Sequence, residues 1–401
     1  MSDTSRRSSL DDGLKDTIEH VEATDIDALD TIEQTRCSNF AWLVSITAAV
    51  GGFLFGYDIG IISAILVYLG NDLGSIINSN EKELITSITS GGAFVGSVVA
   101  GLCADRYGRK MGIYNGCVLF IIGAIIQVTS YTLAQMTVGR LVMGLGVGSA
   151  AIIVPLYITE VAPAKYRGRM ISLDNLSITG GQLISYAIDA MFSACGLMAP
   201  IAVGTIIAGT NFAFTWINLL LVDRVGRRSI LMHTLWVMAA SLLCAAICFH
   251  WVPLNHELEL TASSGDWAAY AVLACMVVYV PFYSVGAGNI AWMSSEFFPL
   301  EVRAVGTMFL TMSCWGANVI VASTFLTQME STTPSGTFGF YAGVCFFGWI
   351  GVYFCYPEVN GMTLEDIRQV FQHGFGVKYA RELQKEWKAG QMENAGIRNQ
   401  V

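Results

Sequence analysis

Long apolar stretches separated by short polar turns dominate the pattern. They cover 40–68, 84–104, 111–130, 136–158, 172–192, 198–221, 230–250, 268–290, 305–326 and 337–356, the first with a glycine-rich middle. Each is close to the roughly 20 residues a helix needs to cross a bilayer. Only helices or closed barrels satisfy backbone hydrogen bonds in lipid, and continuous apolar runs of this length fit helices. The pattern therefore predicts an all-α polytopic membrane protein, a helical bundle with about 10 transmembrane helices. The ends read differently. Residues 1–38 lack an apolar run and hold ten acids against four basic residues, which predicts a disordered acidic cytosolic tail rather than a signal peptide or a span. Residues 362–401 are polar. Leu364, Ile367, Val370 and Phe371 recur at helical spacing there, which predicts a partly helical cytosolic tail lying against the bundle. Segment 251–267 reads as an external acidic loop without a glycosylation sequon.

Composition agrees with this reading and sets the orientation. The chain is 54% hydrophobic and 13% charged, where a soluble domain carries about 25% charged residues. The net charge of −9 sits mostly in the N-terminal tail, so it says little about partners, and nothing points to nucleic acid. The ten cysteines include no C-x-x-C and predict neither disulfides nor a metal site. Alternate loops carry Arg106, Arg109, Lys110, Lys165, Arg167, Arg169, Arg224, Arg227, Arg228 and Arg303, whereas the other set carries only Lys82. The positive-inside rule then places both termini in the cytosol.

A repeat supplies the organisation. D-R-x-G-R followed later by E-x-x-P-x-x-x-R occurs at Asp105, Arg106, Gly108, Arg109, Glu160, Pro163 and Arg167, and again at Asp223, Arg224, Gly226, Arg227, Glu296, Pro299 and Arg303. Duplicated halves around a midplane site are how many secondary transporters are built. The glycine permits a tight turn, and the acids and arginines can pair across the halves or cap helix ends. These residues, Glu160 with Arg167 and Glu296 with Arg303 among them, are therefore candidate latches of an inner gate. The same contacts also serve plain structural pairing. The repeat also works as a ruler. A complete unit holds two spans, the first motif, two spans, the second motif and two spans. The first copy lacks its last span and the second lacks its first, and both gaps fall near Phe192-Ser193. The reading is one excision of two spans and the loop between them. The halves become 39–192 and 193–361.

These residues resemble a known family. The paired D-R-x-G-R loops, Gly139-Arg140, Pro155-x-Tyr157-x-x-Glu160-x-x-Pro163-x-x-x-Arg167-Gly168, Trp292-x-x-x-Glu296-x-x-Pro299 and Pro357-Glu358-x-x-Gly361 are similar to the sugar porter family of the major facilitator superfamily. The likeness covers about residues 39–370. Ser87–Gly92, Ile152–Tyr157 and Ser177–Tyr186 most resemble the fungal myo-inositol/proton symporters, with hexose and other polyol porters as neighbours. The family's sixth and seventh spans and its P-E-S-P-R loop have no counterpart here, and Pro-Glu-Thr-Lys-Gly is replaced by Pro357-Glu358-Val359-Asn360-Gly361.

The resemblance implies a plasma-membrane secondary transporter, proton-coupled, for myo-inositol or a related polyol or hexose. It would be monomeric, embedded in the lipid bilayer, and without a cofactor. The contrasting reading is a truncated or nutrient-sensing membrane protein that does not transport, because the seventh span normally lines the cavity. No nucleophile–base pair, metal cluster or phosphate loop suggests an enzyme or an ATP-driven pump. An acid inside a span is costly unless paired or hydrated, which singles out Asp58. Arg140 is the basic residue deep in the apolar core. In the family picture the first and fourth spans adjoin, so Asp58 becomes the proton-coupling acid and Arg140 its modulator; the bland reading is a structural ion pair. Gln182, by the resemblance, bonds substrate hydroxyls. Asn289, Trp292 and Asn318 offer amide and indole chemistry from the second half, against the alternative of interhelical hydrogen bonds. Asp189 is expected near the outer surface, hydrated and without a role.

Overall fold

The computed structural model describes residues 39–68, 78–162, 166–194, 202–252, 267–298, 302–359, 362, 364–372 and 374–385. The acidic tail, most of the 251–267 loop, the residues from 386 onward and the motif residues Pro163 and Pro299 lie outside them, as do the side chains of Asp105, Arg167 and Glu296. Every described transmembrane segment is helical. In chain order the helices are α1 (Asn39–Tyr68), α2 (Ser79–Tyr107), α3 (Arg109–Val128), α4 (Leu133–Val161), α5 (Arg167–Ala194), α6 (Ala202–Val225), α7 (Arg227–Phe249), α8 (Trp267–Val285), α9 (Ala287–Met293), α10 (Arg303–Thr332), α11 (Pro334–Cys355) and α12 (Leu364–Gln372). Counting α8 and α9 as one broken span, all ten apolar stretches have become helices.

Local chemistry explains several boundaries. The amide of Asn78 donates to Glu81 before α2, and Thr132 accepts from the Gln135 amide at the start of α4. Pro334 occupies the first turn of α11, where its missing N–H costs nothing. The two D-R-x-G-R loops fold alike. Gly108 has φ +82° and Gly226 φ +93°, so a single residue in the left-handed region reverses the chain from α2 to α3 and from α6 to α7.

Nine of the described spans are long and apolar enough to cross a membrane by composition alone; α5 is not among them. The reason is its sequence. Asp174, Asn175, Thr179, Gln182 and Asp189 interrupt the apolar run. Helix α5 is shielded instead by neighbours, packing along α1 on one side and α6 on the other. In the first half α2 and α3 both pack on α4. The α2–α4 crossing is close because Gly92 faces Gly144: a Cβ on Gly92 would stand 2.5 Å from the Leu141 carbonyl oxygen. In the second half α8 packs on α6 and α7, and α11 packs on α7. The largest contacts between the halves are α2 with α10 and α5 with α6, with smaller ones between α4 and α10 and between α5 and α9.

The end of the bundle that carries the D-R-x-G-R loops, the motif face, is sealed by apolar side chains from both halves. Ala48, Val154, Ile158, Met170 and Ile171 meet Val222, Ile230, Ile290 and Met293 in one buried cluster. Ala104, Leu156 and Ala304 form a second beside it. Below the seal lies α12. Ile367 and Val370 are buried against Val359, Met362 and Ala380, and Phe371 sits edge-on to Phe297 at 5.6 Å. The apolar stripe expected there does face the bundle; the Leu364 side chain lies outside the described residues.

Candidate functional site

Above the seal the halves enclose a cavity of about 510 Å³. That is within the usual 300–1,000 Å³ of small-molecule sites. It reaches Ile62 on α1 and Thr86 on α2, near the ends remote from the motif face. Its wall is built from α1, α2, α4 and α5 on one side and from α6, α8, α9 and α10 on the other.

One ion pair stands in this wall. Arg140 Nη1 donates to Asp58 Oδ2 at 2.8 Å. Arg140 is 1% exposed and Asp58 8% exposed. The spacing of 82 residues is closed because α1 and α4 meet at the cavity. Two charges survive burial only in such close, hydrogen-bonded geometry. Nε and Nη2 of Arg140 are buried and have no hydrogen-bond partner among the described residues, so the guanidinium keeps unused donors.

Most of the remaining polar groups are neutral. Gln182 lines the cavity and accepts from Asn211 Nδ2 at 3.5 Å. Asn318 also lines it, with its Oδ1 accepting from Ser90 Oγ at 3.1 Å across the α2–α10 contact. Asn289 donates through Nδ2 to the Ser284 carbonyl, while its Oδ1 is buried without a partner among the described residues. Trp292 forms part of the floor beside Trp315, whose ring meets Phe55 edge-on at 5.6 Å. Thus the structure brings Asp58, Arg140, Gln182, Asn289, Trp292 and Asn318 to one cavity. It adds Asn175, Thr179, Asn211, Thr215 and Ser284, which sequence reasoning passed over. Their signal was available: Asn175, Thr179 and Gln182 repeat at helical spacing on α5, as do Asn211 and Thr215 on α6. One expectation fails. Asp189 is 4% exposed rather than hydrated.

The motif face holds a separate charged layer. Arg109 caps the end of α2 through the Ala104 carbonyl at 2.7 Å and pairs with Glu160 at 2.9 Å. Glu160 therefore pairs with the second arginine of the D-R-x-G-R motif in its own half. Across the halves, Arg169 on α5 meets Asp223 on α6 at 3.3 Å, and Asp223 also meets Arg227 at 3.4 Å. Gly168 allows this approach, since a Cβ there would stand 2.6 Å from Arg227 Nη2. Arg303 is buried and its Nε donates to the Phe298 carbonyl at 3.1 Å. Arg106 and Arg224 are exposed at the last turns of α2 and α6, where a cation suits the helix dipole. Two members of this layer, Arg169 and Glu358, were read from the sequence for orientation and motif but not as gate residues. Glu358 accepts from the backbone amides of Arg227 at 3.2 Å and Arg228 at 2.9 Å, so a carboxylate sits on the N-terminus of α7.

Comparison with known proteins fits this arrangement. The family model described as "Sugar (and other) transporter" matches residues 44–197 and again residues 188–371. The two pieces meet where the repeat places the missing spans. Myo-inositol transporter 1A of Cryptococcus neoformans is 33% identical, the match covering 88% of this chain and 85% of that protein. Myo-inositol transporter 2 of Schizosaccharomyces pombe is 31% identical, covering 90% and 87%. The first of these alignments runs over 481 positions, more than the 401 residues of this chain, so the relative carries segments that are absent here. Among solved structures, the proton:xylose symporter XylE superimposes with a TM-score of 0.69 at 17% identity, covering 83% of this chain and all of that one. That protein's own description places it in the major facilitator superfamily; for this chain the likeness shows the fold. Matches along most of the chain, to transporters rather than enzymes, with the fold to accompany them, mean that this chain belongs to the sugar transporter family.

Proposed function

We propose that this chain is a plasma-membrane carrier, with both termini cytosolic, that takes up myo-inositol or a related polyol or hexose together with a proton. The observation that carries the reading is the cavity: neutral amides and hydroxyls beside two tryptophans, with a single buried ion pair in the wall. A polyol needs uncharged donors and acceptors, because a hydroxyl buried without a partner is costly. Indole faces suit the C–H faces of the ring. Gln182, Asn289, Trp292 and Asn318 are the proposed ligands.

Asp58 is the proposed proton carrier and Arg140 its modulator. A proton taken up by Asp58 releases Arg140; a proton given up restores the pair. Alternating access follows if the halves rock about the cavity. The seal at the motif face would part, with Arg109–Glu160 and Arg169–Asp223 as the contacts that hold or release it. Asp105, Arg167 and Glu296 belong to the same proposed latch by their motif positions. The carrier acts as a monomer.

One observation favours a second reading. Among the described residues, the second half has no helix in the place that α1 fills in the first, so the cavity wall is incomplete by the measure of the repeat. The chain would then be a member of the family that does not transport. The deciding experiment is uptake of labelled myo-inositol at acidic and neutral pH. Cells without their own carrier would express this chain, with display at the surface verified. Acid-stimulated uptake is expected. Surface-displayed protein without uptake establishes the second reading.

A further inference from the structure

Helix α5 holds a second buried carboxyl that plays no part in the site so far. Asp174 is 7% exposed, its Oδ1 has no hydrogen-bond partner, and it forms no ion pair among the described residues. It lines a side chamber of about 30 Å³ with Gly52, Asn175, Trp292 and Trp315. A water needs roughly 10–15 Å³ of such space, so the chamber has room for one or two. Phe55, Asn175, Trp292 and Trp315 line both this chamber and the central cavity, so the two adjoin.

Depth gives Asp174 its meaning. A Cβ on Gly52 would touch Asp174 Oδ1 at 2.6 Å, which fixes its level on α1. Asp58 lies six residues further along α1, about 9 Å away from the motif face at 1.5 Å per residue. In the other direction, Met170 and Ile171 stand one turn from Asp174 and belong to the apolar seal. Asp174 is therefore the last carboxyl of the cavity before the seal, and the first that water from the motif face would meet if the seal opened.

The charged groups on neighbouring helices are engaged elsewhere or distant. Helix α1 offers Asp58, and Tyr57 beside it. Helix α4 offers Arg140, held by Asp58, and Glu160, held by Arg109, with Tyr157 between. Helix α6 offers Asp223 and Arg224 at its motif-face end, and α9 offers none. On α5 itself Arg169 is paired with Asp223, while Asp189 is four turns away. An isolated buried charge is expensive, so a dry chamber tolerates the neutral acid and water entry permits the carboxylate.

We propose that Asp174 is a second proton site, a relay between Asp58 and the motif face. This rests on the transport reading of the same cavity. The protonated Asp58 passes its proton through water of the central cavity and then of the adjoining chamber to the Asp174 carboxylate. Asp58 is left as a carboxylate on Arg140 and Asp174 as the neutral acid. When the seal parts, Asp174 releases the proton to water and becomes the acceptor for the next cycle.

The test uses the purified full chain in lipid. Infrared spectra across pH report the carbonyl stretch of protonated carboxyls. A band that persists in Asp58→Asn and disappears in Asp174→Asn is expected, and Asp174→Glu should keep it at a displaced position. A spectrum unchanged by Asp174→Asn at every pH overturns the proposal. In vesicles, Asp174→Asn should keep exchange of labelled myo-inositol but lose proton-driven accumulation, with Asp174→Glu restoring it. Accumulation equal to the parent in Asp174→Asn also overturns it. Should the parent itself not transport, the transport reading falls and the relay with it. The infrared arm then still decides whether Asp174 carries a proton. If Asp174→Asn does not fold, Asp174→Glu read by both methods decides.

Discussion

Helices α3 and α7 occupy the same place in the two halves, each following the glycine of its D-R-x-G-R loop, yet they live in different surroundings. The most apolar stretch of α3 is 17% buried, whereas that of α7 is 50% buried. Val128 and Ala246, each twenty residues beyond its glycine, are 86% and 4% exposed. The difference is α11, which covers α7. Trp349 Nε1 donates to the Met232 carbonyl at 3.0 Å, Ser335 Oγ donates to the Ala246 carbonyl at 2.6 Å, and Phe249 stacks on Phe338. Among the described residues, no helix does this for α3. The reverse holds at the cavity. In the first half α5 leans on α1; among the described residues its counterpart α10 has no such helix and leans on α2 of the other half. Measured against the repeat, the first half thus lacks an outer helix and the second a cavity helix. The half that kept its cavity helix also holds the buried ion pair.

The comparison can be broken or sharpened, beginning with the largest effect. Inserting the two-span segment of a myo-inositol transporter relative between Phe192 and Ser193 should complete both halves. A cysteine at Val128→Cys should then pass from full to negligible reaction with a membrane-soluble maleimide, while Ala246→Cys stays protected in both chains. Continued labelling of Val128→Cys would show that the absent span is not what bares α3.

Asp58→Ala leaves Arg140 charged, buried and unpaired. A loss of about 3–5 kcal/mol in denaturant unfolding is expected, as when one partner of a buried pair is removed. A smaller loss in Asp58→Ala/Arg140→Met than in Asp58→Ala separates stranded charge from lost packing. Gly92→Leu drives a side chain into the Gly144 backbone and should cost about 1–3 kcal/mol or more, since a well-packed crossing has no room to yield. The same readout on Trp349→Phe, which removes one hydrogen bond between α11 and α7, should show about 1 kcal/mol. If Trp349→Phe costs as much as Gly92→Leu, the cover on α7 matters more to the bundle than the tightest crossing of the first half.

Several features were legible in the chain alone. Apolar runs of span length mark the helices because each must satisfy its backbone within lipid, a local requirement. The paired D-R-x-G-R loops carry their glycine because the reversal at Gly108 and Gly226 needs positive φ, again a local matter. The missing spans follow from counting against the repeat. Helix α5 was found as a span, but its many polar residues could not be sorted. Gln182 could be nominated by resemblance, whereas Asn175 and Thr179, at helical spacing from it, were passed over.

Tertiary structure alone decided where those side chains point. The rotation of a helix about its axis depends on its neighbours, and in a span apolar on most faces the sequence gives little sign of it. Packing of α1 on α5 and α4 brought Asp58 to Arg140 and left Asp174 beside Gly52 with no ion-pair partner among the described residues. Similarly, Glu160 was open to any nearby arginine until the fold set it against Arg109, and Arg169 reached Asp223 only because Gly168 lets α5 and α6 approach. The sequence determined which segments cross the membrane, since that depends on each segment's own solvation. Which polar groups share a cavity, and which remain unpaired, depends on contacts between segments distant in the chain, and only the folded bundle settles it.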